Sequence, residues 1–197
     1  MADIKEETVP AMGTIVNPAP LGLCAFALTT FVLSAANAHL LTGGEAAVKI
    51  VIGLALFYGG LAQILAGMWE FKVGNTFGAT AFTSYGAFWL AFGASIQFHW
   101  LPADSNAVAF FLLGWTIFTF IMFLATLRTN MATILLFGSL LITFLLLTLH
   151  GFGMGDSLKQ LGGYFGLITA LIAWYAALAG LLASMKSAFT LPIGPRS

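Results

Sequence analysis

Six long runs of apolar residues alternate with short polar stretches along this chain. They fall at 21–41, 47–71, 80–101, 108–127, 131–149 and 162–184. A helix needs about 20 predominantly apolar residues to cross the hydrocarbon core of a bilayer. Each run therefore reads as a membrane-spanning helix, since a spanning segment must satisfy its own backbone polar groups. Pro18 and Pro20 stand at the entrance of the first run, where a missing N–H costs little, and Pro102 closes the third. The connections are short and leave no room for a second domain; the longest is the glycine-containing stretch 150–161. The expected fold is an all-α integral membrane protein. A tail of residues 1–20 precedes a six-helix membrane domain, 21–184. A tail of residues 185–197 follows, its Leu191, Pro192, Ile193, Gly194 and Pro195 short and stiff.

Composition narrows the solvent. Of 197 residues 60% are hydrophobic and 7% charged, with zero net charge. A soluble domain carries about 25% charged residues. The lipid bilayer is thus the expected partner, and no basic surface points to nucleic acid. Cys24 is the single cysteine, which excludes a disulfide within the chain and a cysteine-only metal site. The first twenty residues lack the basic-then-apolar order of a signal peptide, so the first span is expected to direct its own insertion. Six spans put both termini on one side. Lys5, Lys72, Arg128, Lys186 and Arg196 fall there, against Lys49 and Lys159 opposite, which predicts cytoplasmic termini.

Candidate chemistry is sparse. In the second run Ala55, Gly59, Gln63 and Gly67 recur every four residues and share a helix face, with Glu70 one turn on. Small residues at this spacing let a neighbouring helix approach closely. Polar groups at membrane depth, here Tyr58, Gln63 and Glu70, usually face the bundle interior or a wet cavity. The row reads as a packing seam on one flank and a pore lining on the other. Glu70 has two readings. It is an interfacial carboxylate that pairs with Lys72 or orders the following loop, or it is a proton partner for transport. Its place near the inner end of its span favours an organiser of the inner mouth. Gly74 can end the second helix and Asn75 or Thr76 can cap the third.

The third run carries Ala81, Tyr85, Phe88, Trp89 and Phe92 on one broad face, with Thr83 and Ser84 forming a hydroxyl cluster beside Tyr85. A buried tyrosine hydroxyl needs a partner. Thr29 and Thr30 form a second cluster, able to bond back to their own helix carbonyls. No lysine or arginine lies well inside a run, so a small monoanion or its neutral acid is easier to accommodate than a multiply charged one. His39, His99 and His150 each end an odd-numbered run. They read either as imidazoles placed favourably at helix C-termini or as outward attractors of anions when protonated.

A resemblance covers essentially the whole chain. Asn17, Pro18, Ala19, Pro20, Leu21, Gly22 and Leu23 match the signature of the acetate uptake transporter family. So do the blocks Phe57 to Gln63, Ala66, Gly67, Glu70, Gly74 to Gly78, Thr80 to Gly86, Phe88 and Trp89, and the terminal Leu191, Pro192, Ile193 and Gly194. The resemblance implies a six-helix protomer assembled as a homohexamer in a cytoplasmic (inner) membrane. It implies a path through each protomer for acetate and, in some members, succinate or other small carboxylates. It implies a hydrophobic constriction of Phe26, Tyr85 and Leu140. Leu140 follows from an ungapped match through Trp115, Phe118, Thr119, Met122, Phe123, Thr126 and Leu127. Asn17, Thr29, Thr30, Tyr58, Gln63, Trp89 and Ala173 are the expected pore-lining or substrate-binding positions. Glu70 and Asn75 are the expected proton or inner-mouth site. No cofactor is expected. An intramembrane enzyme is disfavoured, because Glu70 has no His, Asp or Cys at ligand spacing. A pore for a neutral or cationic solute such as ammonia, and a non-transporting scaffold or sensor, are the rival readings.

Overall fold

A computed structural model describes residues 16–42, 45–100 and 106–195. Lys5, Leu101, Pro102 and Arg196, which entered the reading above, lie outside the described residues. The described elements are α1 (Ala19–Asn37), α2 (Glu45–Leu56), a π-helical segment (Phe57–Ala62), α3 (Gln63–Lys72), α4 (Thr76–Gln97), α5 (Ala107–Thr126), α6 (Met131–Gly151) and α7 (Asp156–Ser184). The α2, π and α3 segments follow one another without a break. Among the described residues five helices are long and apolar enough to cross a membrane: 19–37, 49–72, 107–126, 131–151 and 156–184. The 22 residues of α4 have the length, but threonines, serines and glycines dilute its apolar character.

Side chains and tight turns set the helix ends. Asn75 Oδ1 accepts from the Gly78 N–H at 3.1 Å, which starts α4 four residues ahead of the expected boundary. Asn130 does the same for Thr133 at 2.9 Å and starts α6 at Met131, as read from the sequence. After α1 the Leu40 N–H reaches Ala35 O and the His39 N–H reaches Ala36 O. After α4, Trp100 and His99 bond back to Ser95 and Ile96 in the same way. These paired bonds form the Schellman closure, which needs a left-handed residue. His39 (φ 60°) and His99 (φ 53°) fill that position, usually a glycine's. Both helices therefore stop short of the ends that their apolar runs suggest. In contrast α7 starts six residues before 162, because Asp156 to Gln160 form a polar first turn that hydropathy passes over.

The terminal segment is not a free tail. It folds back onto the start of α6, where Gly194 O and Ile193 O accept the Met131 and Ala132 N–H groups at 2.9 and 3.1 Å. Tyr175 of α7 donates to Pro192 O at 2.6 Å and pins it. With Asn130 serving Thr133, three of the four N–H groups that a helix start leaves unpaired are satisfied, two of them by this segment.

In cross-section α1 packs against α7, α7 against α6, and α6 against α5, while α4 backs onto α2, the π segment and α3. The α1 helix also touches α2, the π segment, α3 and α4 and so joins the two groups. The glycine row makes the seams. A Cβ on Gly59 would stand 2.6 Å from Thr29 Oγ1 on α1, and one on Gly67 would collide with Thr83 Oγ1 on α4. A Cβ on Gly60 would run into Ala55 O, one wide turn back at the end of α2. Outward faces carry exposed Ile117, Phe120, Ile121 and Leu124 on α5 and Leu171 and Leu178 on α7. Such a surface suits lipid, or another apolar partner, and not water.

Candidate functional site: two cavities meeting at Phe26, Tyr85 and Leu140

An aromatic layer fills the space between α4 and the α5–α6 pair. Tyr85 is its centre, with ring centroids of Phe118 at 5.4 Å, Phe26 at 5.9 Å, Trp115 at 6.0 Å and Phe144 at 6.5 Å. Its hydroxyl shares a 2.9 Å hydrogen bond with the Thr119 hydroxyl of α5. This bond fixes the ring in a layer otherwise held by apolar contact. A cavity lies on each side of the layer.

The proximal cavity, on the side of the chain termini, has a volume of about 360 Å³. Its polar wall comes from Gln63, Asn75, Thr129, Asn130 and Thr133, and its apolar wall includes Leu23, Phe77, Leu136 and Phe137. The distal cavity measures about 320 Å³ and is lined by Thr30, Ser34, Asn37, Trp89, His150 and Lys159 among apolar residues. Three residues line both: Phe26 from α1, Tyr85 from α4 and Leu140 from α6. Their exposures are 6%, 2% and 4%.

The other candidate residues divide. Gln63 and Asn75 line the proximal cavity, and Thr30 and Trp89 the distal one. Gln63 is 1% exposed, and among the described residues its Oε1 has no partner; Thr30 Oγ1 and Trp89 Nε1 are likewise buried without one among those residues. Thr29 and Tyr58 lie outside both linings. Thr29 is spent on Ala25 O at 2.9 Å and on the contact with Gly59, so it serves the α1–π seam. Tyr58 is half-buried on the π segment. Ala173 is fully buried in the core behind the layer, and its neighbour Ala176 supplies the α7 contribution to the proximal wall. Asn17 is exposed and precedes Pro18, the N-cap of α1; its Oδ1 accepts from the Ala19 N–H at 3.0 Å.

The structure decides two points that the sequence leaves open. Tyr85 finds its partner on another helix, not in the adjacent Thr83 and Ser84, because successive helical residues point to different faces; Thr83 turns toward Gly67. Glu70 forms no ion pair with Lys72 among the described residues. Lys72 is exposed, whereas Glu70 is 1% exposed and accepts from Asn75 Nδ2 at 2.7 Å. That bond orients Asn75 so that its Oδ1 caps α4, and it ties the end of α3 to the start of α4.

Sequence reading passed over several lining residues. Asn130, three residues before Thr133, has the spacing of a helix cap and could have been found. Asn37 and Lys159 carry no such signal; they join the distal cavity only because α1 ends and α7 begins beside each other.

Apolar outer faces, five membrane-length helices and two internal cavities stacked about an aromatic layer define a multi-pass helical membrane protein. The chain belongs to the GPR1/FUN34/yaaH family, whose model matches residues 6–195, and this bears out the resemblance read from the motifs. It is similar to "Acetate permease A" of Emericella nidulans, 50% identical over 200 residues, which cover 90% of this chain and 65% of that one. It is also similar to "Ammonia transport outward protein 2" of Saccharomyces cerevisiae, 45% identical over 181 residues, or 87% of this chain and 63% of that one. The chain thus spans slightly less than two thirds of these relatives. A solved structure, described as the bacterial acetate channel SatP, superposes with a TM-score of 0.82 at 37% identity, covering 92% of this chain and all of that one.

Proposed function

We propose that this protein carries acetate, and other small carboxylates such as succinate, across a cytoplasmic membrane. The path runs from the proximal cavity past Phe26, Tyr85 and Leu140 to the distal cavity. The observation that carries the reading is the meeting of two cavities at three buried side chains drawn from three helices. In this reading α4 joins the five apolar helices as a sixth span, both termini are cytoplasmic, and the outer apolar faces serve lipid and a homohexameric assembly. The protein acts as a carrier and not as an enzyme.

The mechanism follows from the walls. A carboxylate entering the proximal cavity exchanges water for the amides of Gln63, Asn75 and Asn130 and the hydroxyls of Thr129 and Thr133. It then meets an apolar, aromatic narrowing that passes small solutes and dewets against larger or strongly hydrated ones. Beyond it, Thr30 and Trp89 offer unspent donors. Glu70 organises the inner mouth through Asn75.

Competition in proteoliposomes tests the reading. Labelled acetate uptake should saturate and should yield to unlabelled acetate and not to ammonium. The relative named for ammonia export makes the converse a specific rival. Ammonium flux that acetate leaves untouched would establish that rival instead.

A further inference from the structure

The two cavities differ in one respect that the transport reading does not use. No charged side chain lines the proximal cavity among the described residues, while Lys159 lines the distal one. Lys159 is half-buried in the first turns of α7 and forms no ion pair among the described residues. Asp156, one turn earlier, is 89% exposed and turns to His150, 3.6 Å from its Nδ1, while the same nitrogen lies 3.2 Å from Gly155 O. Asp156, the carboxylate closest to Lys159 in sequence, is therefore directed at the imidazole.

Deeper in the same cavity the free groups suit an acceptor-rich guest. Thr30 Oγ1 and Trp89 Nε1 are buried without partners among the described residues, and an indole N–H can only donate. The arrangement is graded: a fixed cation at the mouth, neutral donors further in, and then the apolar layer. Capture must be strong enough to concentrate the guest and weak enough to release it. One ammonium at a wet mouth meets both conditions better than a buried one.

We infer that Lys159 is the capturing residue of the distal mouth, holding an incoming monocarboxylate before it reaches the narrowing. This rests on the carboxylate reading above. It makes the path asymmetric, with tighter apparent binding from the distal side than from the proximal side. A lone lysine acts as a point charge, so Arg should replace it in this role and Gln should not.

The test is labelled acetate uptake by cells without their own acetate carriers, using the full chain, Lys159→Gln and Lys159→Arg at matched membrane levels. Lys159→Gln should raise KM about three- to tenfold with little change in maximal rate, and Lys159→Arg should restore KM, as expected for electrostatic recruitment. In addition, the unmodified protein should show KM rising with external salt, a readout that needs no variant to fold. A salt-independent KM, or a Lys159→Gln variant with unchanged KM, overturns the inference and leaves the transport reading intact. Absence of acetate uptake by the unmodified chain overturns both. Faster ammonium entry in Lys159→Gln than in the unmodified chain identifies a cation path, and that also overturns the inference.

Discussion

The hydroxyls of Tyr85 and Thr119 lie 2.9 Å apart at the centre of the bundle, and both side chains are buried. This bond is the polar anchor of an aromatic layer in which Tyr85 touches rings from three other helices. Removing either partner leaves the other hydroxyl buried and unpaired. Tyr85→Phe and Thr119→Val should each lower stability by about 1 kcal/mol. A double-mutant cycle on thermal unfolding in detergent should return a coupling of similar size. Independent effects would mean that the bond does not hold the ring.

Leu140 borders both cavities, so shortening it widens the passage with less loss of packing than the about 2–5 kcal/mol of an enclosed Leu→Ala change. Leu140→Val and Leu140→Ala should admit bulkier acids such as lactate while acetate still passes. Labelled lactate uptake measures this. Unchanged selectivity in a folded variant counts against Leu140 as part of the narrowing.

Gly59 and Thr29 meet too closely for any larger residue. Gly59→Ala should cost about 1–3 kcal/mol through overpacking, seen as a lower melting temperature. Thr29→Ala in the same chain should recover only part of the loss, because it removes Oγ1 and Cγ2 but leaves the Thr29 Cβ 2.8 Å from the new methyl. No recovery at all would mean that the Thr29 hydroxyl and methyl are not what the added methyl strikes.

Glu70 and Asn75 separate an organising role from a proton-carrying one. Glu70→Gln keeps an oxygen that can accept the Asn75 N–H, so stability and uptake should persist, including the pH dependence of uptake. Glu70→Ala removes the acceptor and should lower stability by about 1–3 kcal/mol. A Glu70→Gln protein that assembles normally but loses pH-dependent uptake would make Glu70 a proton site.

The helices were legible because lipid selects for long apolar runs, and the start of α6 at Met131 followed directly from such a run. The ends of α1 and α4 were harder, because histidines hold the left-handed closing positions where glycine would have been an obvious mark. The π segment left no trace in a four-residue row that an unbroken α-helix would also satisfy. The pairing of Met131 with Gly194 joins distant parts of the chain, and no local pattern encodes it. Among the candidate site residues, Gln63 could be placed from polarity at membrane depth and Asn75 from cap chemistry. The convergence of Phe26, Tyr85 and Leu140 came from family resemblance, since an aromatic stripe alone does not tell a core from a path. Thr29 shows the limit of that approach: a hydroxyl beside a lining residue can face a glycine seam one helical step away.

If acetate passes between the cavities through the layer of Phe26, Tyr85 and Leu140, a bulky side chain in that layer must block it. The most direct measurement is acetate flux through the purified chain and its Leu140→Trp variant in liposomes, against protein-free vesicles. Flux should be saturable and well above the protein-free rate, and reduced roughly tenfold or more by the blocked passage in a variant that still folds and assembles. Flux no faster than in protein-free vesicles, or a folded Leu140→Trp variant that conducts acetate as the unmodified chain does, would contradict passage through this layer.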